Sequence, residues 1–470
     1  MSNKLTPKER LAIERVKMPE LPADERNKNF EEVNLGLSAD QAFEEARRCL
    51  QCKHRPCVAG CPVGVSIPEF LDALASDDLP RSVQVLRGDN ALPAVCGRVC
   101  PQESQCEALC VRAAKGEPVA IGFLERYVAD WAMHHPDRLL RDKTPAATGK
   151  AVAIVGCGPA GLTAAGELAR TGHSVTIFEA LHDTGGVLRY GIPEFRLPKE
   201  IIDREVAVLN ELGVSIECNV IIGKTLTINE LLEEFDAVFI ANGAGLPTML
   251  GIAGENLKGV YAANEYLTRV NLMEAGRKED CATPIIKSRE VAVIGGGNTA
   301  MDCVRTARRL GAERAMIVYR RSEAEMPARV EEIKHAKEEG VEFVMLTAPT
   351  AILATEDGWV RALRCQKMEL GEPDASGRRR PQPVEGSDFE LSAGVIINAV
   401  GTSANPLLTA TAPDLDLNKW GNIMVNENCE TSIPGVFAGG DIVRGGATVI
   451  LAMGDGKRAA STINEYLSRK

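Results

Sequence analysis

The spacing of apolar and polar positions divides the chain into three zones. Residues 1 to about 143 read as helical: FEEARRCL, PEFLDALASDDLPRSVQVLRG and GFLERYVADWAMHH repeat apolar residues every three or four positions. The loop RDKTPAATGK closes this zone. KAVAIVGCGPAGLTAAGELARTGHSVTIFEA, residues 150–180, then reads as an apolar strand, a glycine turn, a helix and a second strand. REVAVIGGGNTAMDCVRTARRLGAERAMIVYRR, residues 289–321, repeats that grammar. A repeated βαβ unit predicts an α/β chain with two Rossmann-like, doubly wound domains behind an all-α domain. GEPDASGRRRPQPVEG (371–386) reads as a surface loop, and NGAG (242–245) and NAVGTSANP (398–406) as strand-end crossovers. VFAGGDIVRGGATVILAMGDGKRAASTINEYL reads as strand, glycine turn and helix. The expected domains are 1–143 (helical), 144–284 (first Rossmann unit), 285–400 (second unit) and 401–470 (return to the first).

Composition narrows the function. The 470 residues are 45% hydrophobic and 25% charged, which suits a globular protein. No apolar run reaches the roughly 18–20 residues that span a bilayer. The start, MSNKLTPKERLAIERVK, is charged and lacks the apolar stretch of a signal peptide, so a cytoplasmic protein is expected. A net charge of −11 argues against nucleic acid as the main partner.

The first glycine turn spaces Gly156, Gly158 and Gly161 as GxGxxG, with Pro159 opening the helix and Glu179 closing the next strand. That pattern fits a dinucleotide: the backbone approaches a pyrophosphate at a helix N-terminus, and the acid accepts from a ribose diol. The second turn has Gly295, Gly297 and Ala300, with Asn298 and Thr299 opening the helix. Its next strand ends in Arg320 and Arg321 where the first ends in Glu179. A carboxylate there repels a ribose 2′-phosphate and guanidinium groups attract it, so the second unit is expected to take NADP(H). The first is read as an FAD unit, because Asp441 in AGGDIVRGG is placed to bind the ribityl or pyrophosphate end. Gly401 falls in the second crossover.

Of fourteen cysteines, eight crowd between Cys49 and Cys110. The other six (Cys157, Cys218, Cys281, Cys303, Cys365, Cys429) read as small buried apolar residues. A reducing cytoplasm disfavours disulfides. The two crowds read C-x2-C-x4-C-x3-C-P and C-x3-C-P-x4-C-x3-C. Zinc is the competing reading. The Cys-Pro pairs, the x4 and x3 spacings and the redox cofactors nearby favour iron–sulfur clusters.

RRCLQCKHRPCVAGCP, GRVCPQESQCEALC, GCGPAGLTAA, GGVLRYGIPEFRLP, GGGNTAMDC, YRRSEAEMPA and GGDIVRGGATVILAMGDGKRAA together resemble the NADPH-oxidising iron–sulfur flavoprotein family that includes the small subunit of bacterial glutamate synthase. The large subunit of NADH-dependent ferredoxin:NADP+ oxidoreductase and the sulfide dehydrogenase alpha chain are similar too. The resemblance implies FAD, NADP(H) and two [4Fe–4S] clusters with crossed ligands. Cys49, Cys52, Cys57 and Cys110 hold one. Cys61, Cys100 and Cys106 hold the other with Glu125, or with Cys96 as the alternative eighth ligand. It also implies that GGVLRYGIPEFRLP, with Gly186 and Arg196, lies along the flavin. Thr448 is expected at the isoalloxazine edge.

Hydride transfer between cofactors needs no acid–base side chain, so no catalytic residue is expected. No GxSxG elbow is present, and no cysteine near the start could split glutamine. The expected role is therefore the electron-input chain of an NADPH-dependent glutamate synthase, which would make glutamate only with a large subunit. The alternatives are a bifurcating subunit paired with a smaller ferredoxin-reductase-like flavoprotein and serving ferredoxin, a sulfide dehydrogenase-type chain, and a non-catalytic relay. Self-association stays open.

Overall fold

The computed structural model describes residues 5–140, 145–278, 280–375 and 377–470. The boundary expected at 143/144 lies outside the described residues.

The periodic segments of the first zone form helices Ala39–Arg47, Ile67–Ala75, Leu79–Asp89 and Ile121–His134, and the second cysteine run adds helix Pro93–Val99. Asp77–Asp78 breaks the long pattern into two helices: Asp77 takes a φ of +60° and Asp78 caps the next helix by accepting from the Arg81 amide.

Two parallel sheets follow. β1 (Ala151–Val155), β2 (Ser174–Phe178), β3 (Ser215–Glu217) and β4 (Ala237–Ile240) belong to the first. A short β5 (Leu246–Pro247) precedes β6 (Val260–Ala262), β7 (Glu290–Ile294), β8 (Arg314–Val318) and β9 (Glu342–Val344). An antiparallel insert holds β10 (Thr347–Ala354), β11 (Val360–Pro373), β12 (Arg379–Pro383) and β13 (Phe389–Ser392). β14 (Val395–Asn398), β15 (Thr402–Ser403) and β16 (Val436–Ala438) complete the strands. The sheet orders are β16-β4-β1-β2-β3 and β6-β14-β7-β8-β9. These are the same arrangement, so the repeat seen in sequence is a repeat of topology. In each unit the outermost strand comes from beyond the unit's own βαβ run.

Two expectations change. The second unit does not wait for residue 285: β6 pairs with β14, and helix Ala263–Asn271 packs beside it. The expected surface loop 371–386 is largely a hairpin, with Met368 to Pro373 of β11 pairing with β12. Its prolines and charges hid a strand, because an exposed edge tolerates both. The two expected crossovers lead into β5 and β15, which pair with each other.

One continuous apolar core runs through the helical domain, one face of the first sheet and the C-terminal helix Val449–Ser468. The helical domain is therefore fused to the first unit rather than tethered. Of the six scattered cysteines, Cys157, Cys303, Cys365 and Cys429 are buried; Cys218 and Cys281 are only half-buried.

Candidate functional site

β1, β2, β4 and β16 run parallel, so their carboxyl ends lie at the same end of the first sheet, whose strand order reverses between β4 and β1. A Cβ on Gly161 would lie 2.0 Å from the Gly156 carbonyl, so only glycine lets helix Pro159–Arg170 start this close. A Cβ on Gly158 would meet nothing within 4 Å. That open space at a helix N-terminus suits a pyrophosphate. Glu179 accepts from the Cys157 amide (2.8 Å) and the Leu181 amide (2.9 Å), which fixes both carboxylate oxygens at the turn. Burial pushes its carboxyl up, and the two amides oppose this. Gly186 turns back onto Gly158, with its φ at +54°. Asp441 accepts from the Ala447 amide, and burial pushes it up to about 6. Asp455 holds this loop through the Gly440 amide (3.0 Å) and both ends of the Arg444 guanidinium. Thr448 caps helix Val449–Ser468 by accepting from the Leu451 amide. These residues fit an FAD.

Arg196 does not belong to this group. It is buried against helix Asn298–Arg309, donating to both Asp302 oxygens at 2.8 Å, with Glu332 3.1 Å from its Nε. The resemblance placed it along the flavin. Instead, two buried acids of the second unit require its charge.

In the second unit, a Cβ on Gly295 would lie 2.5 Å from the Ala399 carbonyl. Asn298 accepts from the Arg329 amide at 2.9 Å, so its side chain holds segment 326–329 over the turn. Thr299 is exposed at the helix start. Gly401 is exposed just beyond β14. Arg320 is exposed at the end of β8, whereas Arg321 is buried and bound to the hairpin. Of the expected pair, only Arg320 is presented to a ligand. The open glycine turn and Arg320 fit an NADP(H).

The eight clustered cysteines separate into two groups. Cys49, Cys52, Cys57 and Cys110 line one cavity that is otherwise apolar except for Arg112. Burial pushes Cys49 up to about 12 and Cys57 to about 11, with Cys110 raising both further. Cys61, Cys100 and Cys106 form the second group: burial raises the Cys61 and Cys106 thiols, Cys96 and burial raise that of Cys100, and Glu125 adds to all three. Four soft donors converging in an apolar setting fit an iron–sulfur cluster. Glu125 is buried and accepts from the Asn90 amide at 2.7 Å; burial pushes its carboxyl up to about 8. Cys96 lies in the same place, 3.8 Å from Asn90 Oδ1 and 3.4 Å from Met453 Sδ. The structure thus brings both candidates for the eighth ligand to one group.

Sequence reading missed Asn90, Met453 and Lys457. Lys457 donates to the carbonyls of Val63 (2.9 Å) and Asp89 (2.8 Å). Helix Val449–Ser468 therefore runs from the flavin cradle into the helical domain. No local pattern marks Met453 or Lys457, because their partners are hundreds of positions away, and Asn90 meets Glu125 only 35 positions on.

Among the described residues no helix is long and apolar enough to cross a membrane. Residues 26–136 match the family described as dihydropyrimidine dehydrogenase domain II, 4Fe-4S cluster, and residues 150–456 match pyridine nucleotide-disulphide oxidoreductase. The chain is 37% identical to the glutamate synthase [NADPH] small chain of Azospirillum brasilense, over 96% of this chain and 94% of that one. It is 41% identical to the NADP(+)-dependent formate dehydrogenase subunit beta of Moorella thermoacetica, but spans only 60% of that protein. FprA of Mycobacterium tuberculosis, solved with NADPH, shares the fold at a TM-score of 0.57 and 21% identity, covering 68% of this chain and 85% of that one. With its paired Rossmann units behind a cysteine-rich helical domain, the chain belongs to the glutamate synthase small-chain family, NADPH-dependent oxidoreductases with FAD and [4Fe–4S] clusters.

Proposed function

We propose that this chain is the electron-input subunit of an NADPH-dependent glutamate synthase-type assembly, with two [4Fe–4S] clusters leading from an FAD to a partner chain. One observation carries this reading. The helix capped by Thr448 at the flavin cradle packs Met453 against Cys96, beside Cys61, Cys100, Cys106 and Glu125. When bound, the flavin supplies a two-electron acceptor for the nicotinamide hydride, and the clusters supply one-electron carriers.

The chain's own residues bind, orient and insulate. The first glycine turn, with Gly156, Gly158, Pro159 and Gly161, takes the FAD pyrophosphate, and Glu179 takes its ribose. Gly186 and Asp441 close the cradle. Gly295, Gly297, Thr299 and Gly401 frame the NADP(H), with Asn298 holding the segment above it and Arg320 facing the 2′-phosphate. Cys61, Cys100, Cys106 and Glu125 hold the inner cluster. Cys49, Cys52, Cys57 and Cys110 hold the outer one, where Cys52, Cys57 and Cys110 are only half-buried. That opening suits electron exit to a partner.

Relatives named for other acceptors, including the NADPH-Fe(3+) oxidoreductase subunit beta of Geobacter sulfurreducens, carry a similar segment. The partner therefore decides the acceptor. Anaerobic affinity purification from the native host tests this. A co-purifying glutamate synthase large chain supports the proposal. A smaller ferredoxin-reductase-like flavoprotein in its place overturns it in favour of the bifurcating alternative.

A further inference from the structure

The two Rossmann units differ in what joins their third and fourth strands, counted from the strand before each glycine turn. Between β3 and β4 the first unit has helix Ile228–Glu234; between β9 and β14 the second has β10–β13. The β11–β12 hairpin places three consecutive arginines, Arg378, Arg379 and Arg380, at its tip, on a chain of net charge −11.

This tip is fastened to the end of β8. The Arg321 Nε donates to the Arg379 carbonyl at 2.9 Å, and its Nη2 donates to Asp374 Oδ2 at 2.7 Å. The Arg379 Nε in turn donates to Glu325 Oε1 at 2.8 Å. Glu325 also accepts from the Ser322 hydroxyl, and its carbonyl accepts from the Tyr319 hydroxyl at 2.9 Å. Arg379 therefore lies over residues 319–325, the stretch that contains Arg320. Its side chain stays half-exposed, at 50%.

A 2′-phosphate is bound best by more than one guanidinium N–H fork. The strand end offers Arg320, but Arg321 is buried, with its Nε and Nη2 bound to the hairpin. We infer that the hairpin completes the 2′-phosphate site: Arg379 supplies the second cation, and Arg321 is a positioning residue that sets it. This rests on the NADP(H) reading of the second unit. Arg379 also neutralises Glu325, whose bare carboxylate would repel the phosphate.

The test is equilibrium binding of 2′,5′-ADP and 5′-AMP to the full-length holoprotein, followed by calorimetry. Arg379→Gln is expected to weaken 2′,5′-ADP about tenfold and to leave 5′-AMP unchanged. Arg380→Gln removes the same charge from the same hairpin and is expected to change 2′,5′-ADP less than about twofold. Arg321→Ala should weaken 2′,5′-ADP alone but add nothing in the Arg379→Gln background, because it acts through Arg379. Equal losses in Arg379→Gln and Arg380→Gln would overturn the inference. So would additive effects of Arg321→Ala and Arg379→Gln, which would make Arg321 a direct ligand. A wild-type protein with no preference for 2′,5′-ADP over 5′-AMP would overturn the inference and the NADP(H) reading beneath it. A wild-type preference that Arg379→Gln leaves undiminished would overturn the inference alone.

Discussion

Asn90 is the residue on which the inner group turns. Its amide donates to Glu125 and its carbonyl oxygen accepts from the Leu92 amide at 2.9 Å, so its orientation is fixed at both ends. Burial makes Glu125 a poor anion unless a cation binds it, since its carboxyl sits at about 8. A buried carboxylate held by one neutral donor is suited to a metal ligand and costly otherwise. Asn90→Ala is expected to leave the iron content unchanged and to shift the potential of one cluster, read by EPR-monitored redox titration. Glu125→Cys should do the same with a larger shift, because thiolate replaces carboxylate. Loss of one whole cluster in Cys96→Ala, with Glu125→Ala harmless, would give the ligand role to Cys96.

At the level of elements, segment 193–198 joins the two Rossmann units. Arg196 reaches Asp302 and Glu332; Arg305 also binds Glu332, and Arg305 and Arg309 bind Glu339. Phe195, fully buried, lies under the Arg305 and Arg309 guanidinium groups, 4.7 and 3.8 Å from its ring centroid. Removing one member of a buried pair leaves the other uncompensated, at about 3–5 kcal/mol. Arg196→Ala is therefore expected to lower stability by roughly that amount in chemical denaturation, while Arg196→Ala with Asp302→Ala recovers part of it. An unchanged midpoint for Arg196→Ala would show that the acids find other partners. The sequence made the glycine turns, the strand-end acid and the cysteine spacing legible, because each is a local pattern with a local cause. Arg196 was misread for the opposite reason. Its motif sits next to the first unit in sequence, but its partners Asp302 and Glu332 lie more than a hundred positions away. The 371–386 hairpin was misread because strand propensity is overridden when an edge can bond to a neighbouring element. The outer strand of the second sheet, β6, was assigned to the wrong unit because nothing in three residues names the sheet they join.

Across the whole molecule, the helical domain grips the second unit as well as the first. Arg329, buried, donates to the Arg98 carbonyl and to Gln102 Oε1, both at 3.0 Å. Arg26 binds Glu338 at 2.6 Å and Glu339 at 3.1 Å, Asn34 donates to Glu331, and Lys334 and His335 both meet Glu20. Helix Val330–Glu338 is thus held along its length, which fixes the second unit against the cluster domain rather than leaving it free to rotate about β5 and β15. Arg329→Ala is expected to raise amide exchange in residues 330–338 more than in the first sheet, read by hydrogen-exchange mass spectrometry. The clamp also carries a pH dependence. The His335 imidazole, 3.3 Å from the Glu20 carboxylate, holds Glu20 at about 2, below the ordinary 4.5, and the Lys334 contact adds to this. A depressed carboxyl contributes stability that is complete above its unfolded value and is lost as pH falls from about 4.5 toward 2. After correction for intrinsic exchange, opening of helix Val330–Glu338 should therefore increase as pH is lowered through this window, and Glu20→Gln should flatten the increase. An increase of the same size in Glu20→Gln would place the acid-sensitive group elsewhere in the clamp. Equal exchange in wild type and Arg329→Ala would mean that the Arg26, Asn34 and Glu20 contacts hold helix Val330–Glu338 without Arg329.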